Sequence, residues 1–298
     1  MSSNTETAII DTDSAQSLVQ EIEEIYYKLS KMTSLHPVAP VNDLFTRLVH
    51  IATFTYNPSI VNLILLCPII ERLLNPLRIL CSTAEYHLEM QWSKELGLYQ
   101  ANETVTPEMI LSRFIYYDNY DALTCLELGA LHGVGGIMAH IVFVGSGPLP
   151  LSSILMARKS HNIRRIDNID MSHSATTAAT ELTNKLGMQD RLKHYTIEAK
   201  DYDGYEKADV IILAALVGES HEDKMEFLKF ISKQMKPGAL ILTRSAHSLR
   251  KLLYVPIEPF HVNSCGLQTL VVSHPQNEIV NSILIARRLE NVDSMNNS

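Results

Sequence analysis

The sequence has few cysteines and none of the common metal-binding spacings. Its four cysteines, Cys67, Cys81, Cys125 and Cys265, stand far apart without a CxxC pair, and its twelve histidines form no HExxH or HxxxH pair. A disulfide scaffold or a zinc site needs such patterns, so the sequence predicts neither. Scattered thiols are typical of a reducing compartment. We therefore expect a cytoplasmic protein with reduced cysteines and no bound metal.

Positive charge and long apolar segments are also scarce. Lys and Arg number 25 against 33 Asp and Glu, which gives a formal net charge of −8, and no basic stripe is interleaved with aromatic residues. This composition disfavours nucleic-acid binding. The most apolar run, Ile60 to Ile70, is too short for a membrane span and contains Asn62 and Pro68. The first dozen residues do not resemble a signal peptide. We expect a small-molecule substrate and neither a nucleic-acid nor a membrane partner.

The first half of the chain has helical periodicity. Apolar residues recur at three- and four-residue spacing from Val19 to Leu29, with glutamates on the other face. A longer helix is predicted to begin at Asn75 as N-cap, with Pro76 as its first residue, and to end before Gly97. Farther along, Asp118-Asn119 predicts a turn. We expect a flexible tail over residues 1–13 and a helical domain over 14–134.

The second half alternates between apolar runs and helical segments, as a parallel α/β sheet requires. The last two strands, joined by a turn that contains Pro275, should form an antiparallel hairpin. This predicts a Rossmann-like domain over residues 135–290 with a seven-stranded sheet of the methyltransferase type, and a flexible tail over 291–298. The predicted strands are His140–Val144, Arg165–Asp170, Leu192–Ile197, Ala208–Ala215, Ala239–Thr243, Leu267–His274 and Ile279–Arg287.

A glycine- and proline-rich turn follows the first predicted strand. Gly145 and Gly147 let backbone N–H groups approach a ligand closely, and Pro150 suits the first turn of a helix. The dinucleotide fingerprint requires a third glycine where this chain has Pro150, which argues against NAD or FAD. The related layout that binds S-adenosylmethionine stays open. So does an ordinary strand-to-helix turn without a ligand.

Two carboxylates follow the next strands, and others lie along the long helix. Asp170 ends the second predicted strand, where a carboxylate can accept both ribose hydroxyls, and Glu198 follows the third, near the place of an adenine. On the long helix, Glu85 and Glu89 share a stripe with Trp92 and other apolar residues. A glutamate there is either an edge residue with an exposed carboxylate or a functional residue of a site.

Several segments together carry a specific pattern. In the first half of the chain they are residues 41–46, 81–89 and 116–120, and in the second half residues 144–151, 213–218, 244–247 and 281–283. Among them, the run Gly-Ser-Gly-Pro-Leu-Pro-Leu is far more specific than a generic glycine turn. Together these segments resemble the nicotianamine synthase family, in its plant and fungal branch, and the resemblance runs from about Ser17 to Arg288.

The resemblance implies an aminocarboxypropyltransferase of the class I S-adenosylmethionine-dependent fold. Such an enzyme joins the aminocarboxypropyl groups of three S-adenosylmethionine molecules, closes an azetidine ring and releases methylthioadenosine three times, making a metal chelator without using a metal. It implies Glu89 as general base and Tyr120 as its catalytic partner, and substrate contacts from Tyr117, Arg244 and Tyr254. It implies an S-adenosylmethionine site at Gly145, Ser146, Gly147, Pro148, Leu149, Asp170, Glu198 and Ala215.

The chain also departs from the family pattern. The segment from His132 to His140 is short, Val255 stands between Tyr254 and Pro256, and Glu198 replaces an expected Asp. Two other hypotheses stay open: a related transferase with a smaller or different product, and an ordinary S-adenosylmethionine-dependent methyltransferase. The base hypothesis requires that Glu89 and Tyr120 face the glycine turn across a cleft.

Overall fold

The computed structural model describes residues 2–99, 105–218 and 220–289, with side chains from residue 11 onward. Within these ranges six helices precede the first strand, and the later helices alternate with strands, as the sequence predicts. The first six are α1 Ser2–Ser30, α2 Ala39–Thr53, α3 Pro58–Leu65, α4 Pro68–Leu98, α5 Pro107–Leu111 and α6 Tyr117–Gly133. The later ones are α7 Leu151–Lys159, α8 His173–Lys185, α9 His221–Gln234 and α10 Pro259–Asn263.

Three predictions for the helical half are wrong. Residues 2–13 belong to α1 instead of forming a tail. The long helix α4 begins at Pro68, not after Asn75, and contains Pro76. Pro76 removes one backbone hydrogen bond, but the buried apolar face runs on from Ile70 to Leu77, so packing favours one continuous helix. The Asp118-Asn119 pair lies in the first turn of α6, where a carboxylate is favourable at the positive end of the helix dipole.

The seven strands form one sheet in the order β3-β2-β1-β4-β5-β7-β6. The five strands β1 to β5 pair in parallel, and β7 pairs antiparallel with both β5 and β6, which confirms the predicted hairpin. The bounds are β1 His140–Val144, β2 Arg165–Asp170, β3 Leu192–Thr196, β4 Val210–Leu213, β5 Leu240–Ser245, β6 Leu267–Ser273 and β7 Ser282–Arg288. The predicted tail over 291–298 lies outside the described residues.

Alternating residues of the central strands build a core on each face of the sheet. Ile141 and Phe143 pack with α6, α7 and α8, whereas Val142 and Val144 pack with α9 and α10. A third core joins α1 to α4 to Leu249 and Leu252, which follow β5. The amino-terminal helices are thereby fixed beside the carboxyl ends of the parallel strands. Since β1 has β2 on one side and β4 on the other, its carboxyl end is where ligands bind in open α/β sheets.

No single helix in the described part of the chain is long and apolar enough to cross a membrane. Helices α3 and α4 pass a test of length and composition only as a pair, and they bend by 79° at their junction.

Candidate active site

A cavity of about 670 Å³ lies between the carboxyl ends of the parallel strands and helices α2, α4 and α6. Twelve of the thirteen site residues suggested by the sequence line this cavity, and Tyr117 does not. Tyr117 packs against the core on the α6 side of the sheet, while its neighbour Tyr116 lines the cavity. The volume falls in the range of small-molecule sites.

The glycine turn forms one wall of the cavity. Gly145 and Gly147 have φ values of +76° and +66°, a region that glycine adopts without steric cost. The N–H of Gly147 donates to Asp170 Oδ2 over 2.9 Å, and the N–H of Ser172 donates to Oδ1 over the same distance. These bonds fix the Asp170 carboxylate at the end of β2. Its other lone pairs are free to accept hydrogen bonds from a ligand.

Two buried polar groups of the wall have no partner among the described residues. The hydroxyl of Ser146 and the amide nitrogen of Asn281 both belong to residues less than 9% exposed and line the cavity. Buried polar groups in folded proteins are nearly always hydrogen-bonded. These two groups are therefore available to bind a polar ligand. Asn281 is a site residue that sequence reasoning missed, although its segment helped to carry the family resemblance.

Glu89 on α4 and Tyr120 on α6 meet inside the cavity. The Tyr120 hydroxyl donates to Glu89 Oε1 over 2.7 Å, and a Cβ atom built on Gly147 would lie 2.5 Å from Glu89 Oε2. The pair thus faces the glycine turn, as the base hypothesis requires. Burial, and then the negative charge of Glu85, raise the pKa of Glu89 to about 8, and the Tyr120 hydrogen bond opposes the shift only in part.

Glu85 lies one helical turn before Glu89 and forms a second pair of the same kind. The hydroxyl of Tyr254, from the segment after β5, donates to Glu85 Oε2 over 3.0 Å. Burial raises the pKa of Glu85, while this hydrogen bond and the charge of Arg244 act in the opposite direction. The sequence places Glu85 on the same stripe as Glu89 but indicates no role for it. The four-residue spacing was the signal for it.

Arg244, at the end of β5, is held by protein groups. Its Nε and Nη2 bind the two carboxylate oxygens of Glu127 over 2.7 and 3.1 Å, and Nη2 also donates to Ser152 Oγ over 2.7 Å. Arg244 is 6% exposed and Glu127 is fully buried. Two of the five guanidinium N–H groups, both on Nη1, are not used by these three bonds. Only that side of Arg244 is free for the substrate carboxylate that sequence analysis assigned to it.

No group of three or more His, Cys, Asp or Glu side chains in the described ranges could hold a metal ion. The arrangement as a whole is a nucleoside-sized cavity in which the buried carboxylate of Glu89 and the half-buried carboxylate of Glu85 lie opposite a backbone turn. Such a site can bind a cationic ligand and accept a proton from it.

Comparison with known proteins assigns the chain to a family. A family model described as nicotianamine synthase protein matches residues 11–293, nearly the whole chain. The chain belongs to the nicotianamine synthase family. It is 36% identical over 275 residues to nicotianamine synthase from Solanum lycopersicum, covering 91% of this chain and 84% of that protein. It is 35% identical over 277 residues to nicotianamine synthase 3 from Arabidopsis thaliana, covering 92% and 84% of the two chains.

Solved structures agree on the fold. The chain is similar to a glutamate-to-glutamine mutant of MtNAS in complex with S-adenosylmethionine, with a TM-score of 0.74 and 22% sequence identity over 92% of this chain and 98% of the other. MtNAS in complex with MTA and tNA gives a TM-score of 0.71, also at 22% identity, over 93% and 98% of the two chains. The nicotianamine synthase family and the class I methyltransferase-like fold predicted from sequence are both confirmed.

Proposed function

We propose that this protein makes nicotianamine from three molecules of S-adenosylmethionine, with release of three molecules of methylthioadenosine. Family membership over nearly the whole chain supports this activity. The observation that carries it is the contact between the Glu89–Tyr120 pair and the Gly147 turn. This contact brings a proton acceptor to the wall where the sulfonium of a bound S-adenosylmethionine would lie.

The nucleoside half of S-adenosylmethionine would bind along the carboxyl ends of β1 to β4. In this proposal Asp170 accepts hydrogen bonds from the ribose hydroxyls, and Glu198 and Ala215 lie near the adenine. The backbone of residues 145–149 surrounds the amino acid portion. Ser146 supports this placement because its buried hydroxyl has no hydrogen-bond partner among the described residues. Arg244 would bind a substrate carboxylate through Nη1, beside Tyr254.

The chemistry depends on which carbon the site presents to the nucleophile. A sulfonium has three electrophilic carbons, and the reacting one is the carbon held in line with the attacking nitrogen. The attacking α-amine is largely protonated at neutral pH and must lose a proton. Glu89 would accept that proton while Tyr120 orients the carboxylate. The nitrogen lone pair forms the new N–C bond, and the C–S bond breaks with its electrons on sulfur, which leaves as a neutral thioether.

The by-product tests this proposal against a methyltransferase reaction. Purified protein is incubated with S-adenosylmethionine alone, and the nucleosides and amino acids are read by mass spectrometry. Methylthioadenosine with nicotianamine is the expected result. Methylthioadenosine with a smaller product would mean a related transferase that stops earlier. S-adenosylhomocysteine, formed only with an added acceptor, would contradict the proposal.

The product of this reaction would serve as a metal chelator, and metal would enter only as its cargo. We place the reaction in the cytoplasm. The four cysteines are all free thiols in the structure, as expected in a reducing compartment.

A further inference from the structure

The cavity contains two glutamate–tyrosine pairs in series, and the proposed function uses only one of them. Glu85 and Glu89 are four residues apart on α4, so their Cβ atoms lie about 5–6 Å apart on one face of the helix. Each carboxylate accepts a hydrogen bond from a tyrosine of a different element, Tyr254 to Glu85 and Tyr120 to Glu89. Both glutamates line the same cavity.

In the described part of the chain no cation forms an ion pair with either carboxylate, although the charge of Arg244 acts to lower the pKa of both. The cavity lining includes two cations, Arg244 and Lys200. Arg244 is engaged in a bidentate ion pair with Glu127, and Lys200 pairs with Glu226 over 2.6 Å. Asp170 adds another negative charge that raises the pKa of Glu89. Two like-charged groups at this distance are stable together only with a shared proton or a bound cation. The site therefore has room for positive charge at two positions along α4.

The spacing of these positions matches the spacing of nitrogens in the product chain. Each aminocarboxypropyl transfer leaves three carbons between one nitrogen and the next. Four single bonds of about 1.5 Å, fully extended, separate the two nitrogens by about 5 Å. That distance is close to the separation of the Glu85 and Glu89 Cβ atoms. Two neighbouring nitrogens can therefore contact one carboxylate each.

We infer that Glu85, oriented by Tyr254, is a second proton-accepting catalytic residue, which serves the nitrogen next to the one served by Glu89. This inference rests on the proposed function. At Glu85 the ammonium of the neighbouring nitrogen gives its proton to the carboxylate. Its lone pair forms an N–C bond to the γ-carbon of S-adenosylmethionine, and the C–S bond electrons leave on methylthioadenosine. Glu89 alone is sufficient for a first bond, and further bonds require Glu85.

The test is the product distribution of Glu85→Gln, which keeps the shape of the side chain and removes its capacity to accept a proton. Wild type, Glu85→Gln and Glu71→Gln are incubated with S-adenosylmethionine, and products are read by mass spectrometry. Glu71 is an exposed glutamate of α4 outside the cavity and serves as the matched control. We expect Glu85→Gln to release methylthioadenosine and accumulate the compound with a single new N–C bond, with nicotianamine reduced about a hundredfold. Glu71→Gln should match wild type.

Two results would overturn the inference. One is a wild-type share of nicotianamine from Glu85→Gln, and the other is the loss of all methylthioadenosine release, since the first bond should not need Glu85. A wild type that releases no methylthioadenosine would instead contradict the proposed function. If Glu85→Gln does not fold, Tyr254→Phe decides, because it keeps the carboxylate and removes its orienting hydrogen bond. It should shift the products in the same direction, and an unchanged distribution would contradict the inference.

Discussion

Glu89 and Gly147 lie in direct contact across the cavity. A Cβ atom at position 147 would lie 2.5 Å from Glu89 Oε2, and the backbone there has a φ of +66°. The glycine turn and the proposed base therefore fit together only because residue 147 has no side chain.

Gly147→Ala should lower turnover strongly and the unfolding free energy only moderately. The left-handed backbone costs an alanine about 1–2 kcal/mol, and its methyl group would displace the Glu89 carboxylate from the wall. Gly187→Ala is the matched control, since Gly187 has a φ of +67° with nothing within 4 Å of an added Cβ. Both variants should lose similar unfolding free energy in urea, and only Gly147→Ala should lose methylthioadenosine release. Equal turnover in the two variants would show that the contact does not matter.

The stability of the protein should depend on pH through Glu89. Because burial, and then Glu85, raise its pKa from an ordinary 4.5 to about 8, folding favours the protonated form. This contribution is fully present below pH 4.5 and is lost as pH rises through about 8. Relative to Glu89→Gln, which does not titrate, the unfolding free energy of wild type should fall over this range. Urea titrations at several pH values measure it, and parallel curves would contradict the raised pKa.

The buried Arg244–Glu127 ion pair should matter more for the unfolding free energy than an exposed ion pair does. Removing either partner leaves a buried unpaired charge, so Arg244→Met or Glu127→Gln should destabilise the fold by about 3–5 kcal/mol. Replacing both together, with Met and Leu, should recover much of that loss. In contrast, Glu24→Gln, which breaks an exposed pair with Lys28, should cost less than about 0.5 kcal/mol. Chemical denaturation measures the unfolding free energy of each variant. A loss in Arg244→Met well below about 3 kcal/mol would mean that water reaches Glu127.

Lys224 should give the opposite pH dependence. It is fully buried, and its Nζ donates to the carbonyl of Ala215 over 2.7 Å. Burial, with a smaller effect from Arg78, lowers its pKa from 10.5 to about 7. Between these values the unfolded chain holds a proton that the folded protein lacks, so stability rises with pH. The unfolding free energy of wild type relative to Lys224→Met should therefore increase from pH 7 to 10. A constant difference would place the Lys224 amine in contact with water.

Local patterns were sufficient to predict the sheet but not the partners of its side chains. The bounds of β1 and β2 match the prediction. The run Ile141 to Val144, which ends at Gly145, is continuously apolar, as is typical of a buried parallel strand. Pro76 and the Asp118-Asn119 pair misled the prediction because their local preferences are weaker than the packing of α4 and α6. The intrinsic helix propensity of a residue contributes little free energy compared with the burial of a helix face.

The ion pair of Arg244 could not be read from sequence. Glu127 is 117 residues away, on α6. Only the tertiary fold shows that this carboxylate faces β5 instead of solvent. Glu85 was within reach of sequence reasoning because its four-residue spacing from Glu89 fixes a common helix face. Its partner, Tyr254, again needed the structure.

Glu89→Gln tests the central claim most directly. The variant should bind S-adenosylmethionine as wild type does by calorimetry, because the nucleoside contacts stay in place. It should release methylthioadenosine at least about a hundredfold more slowly, because the attacking amine keeps its proton. Wild-type release by a folded Glu89→Gln that binds S-adenosylmethionine would contradict the account.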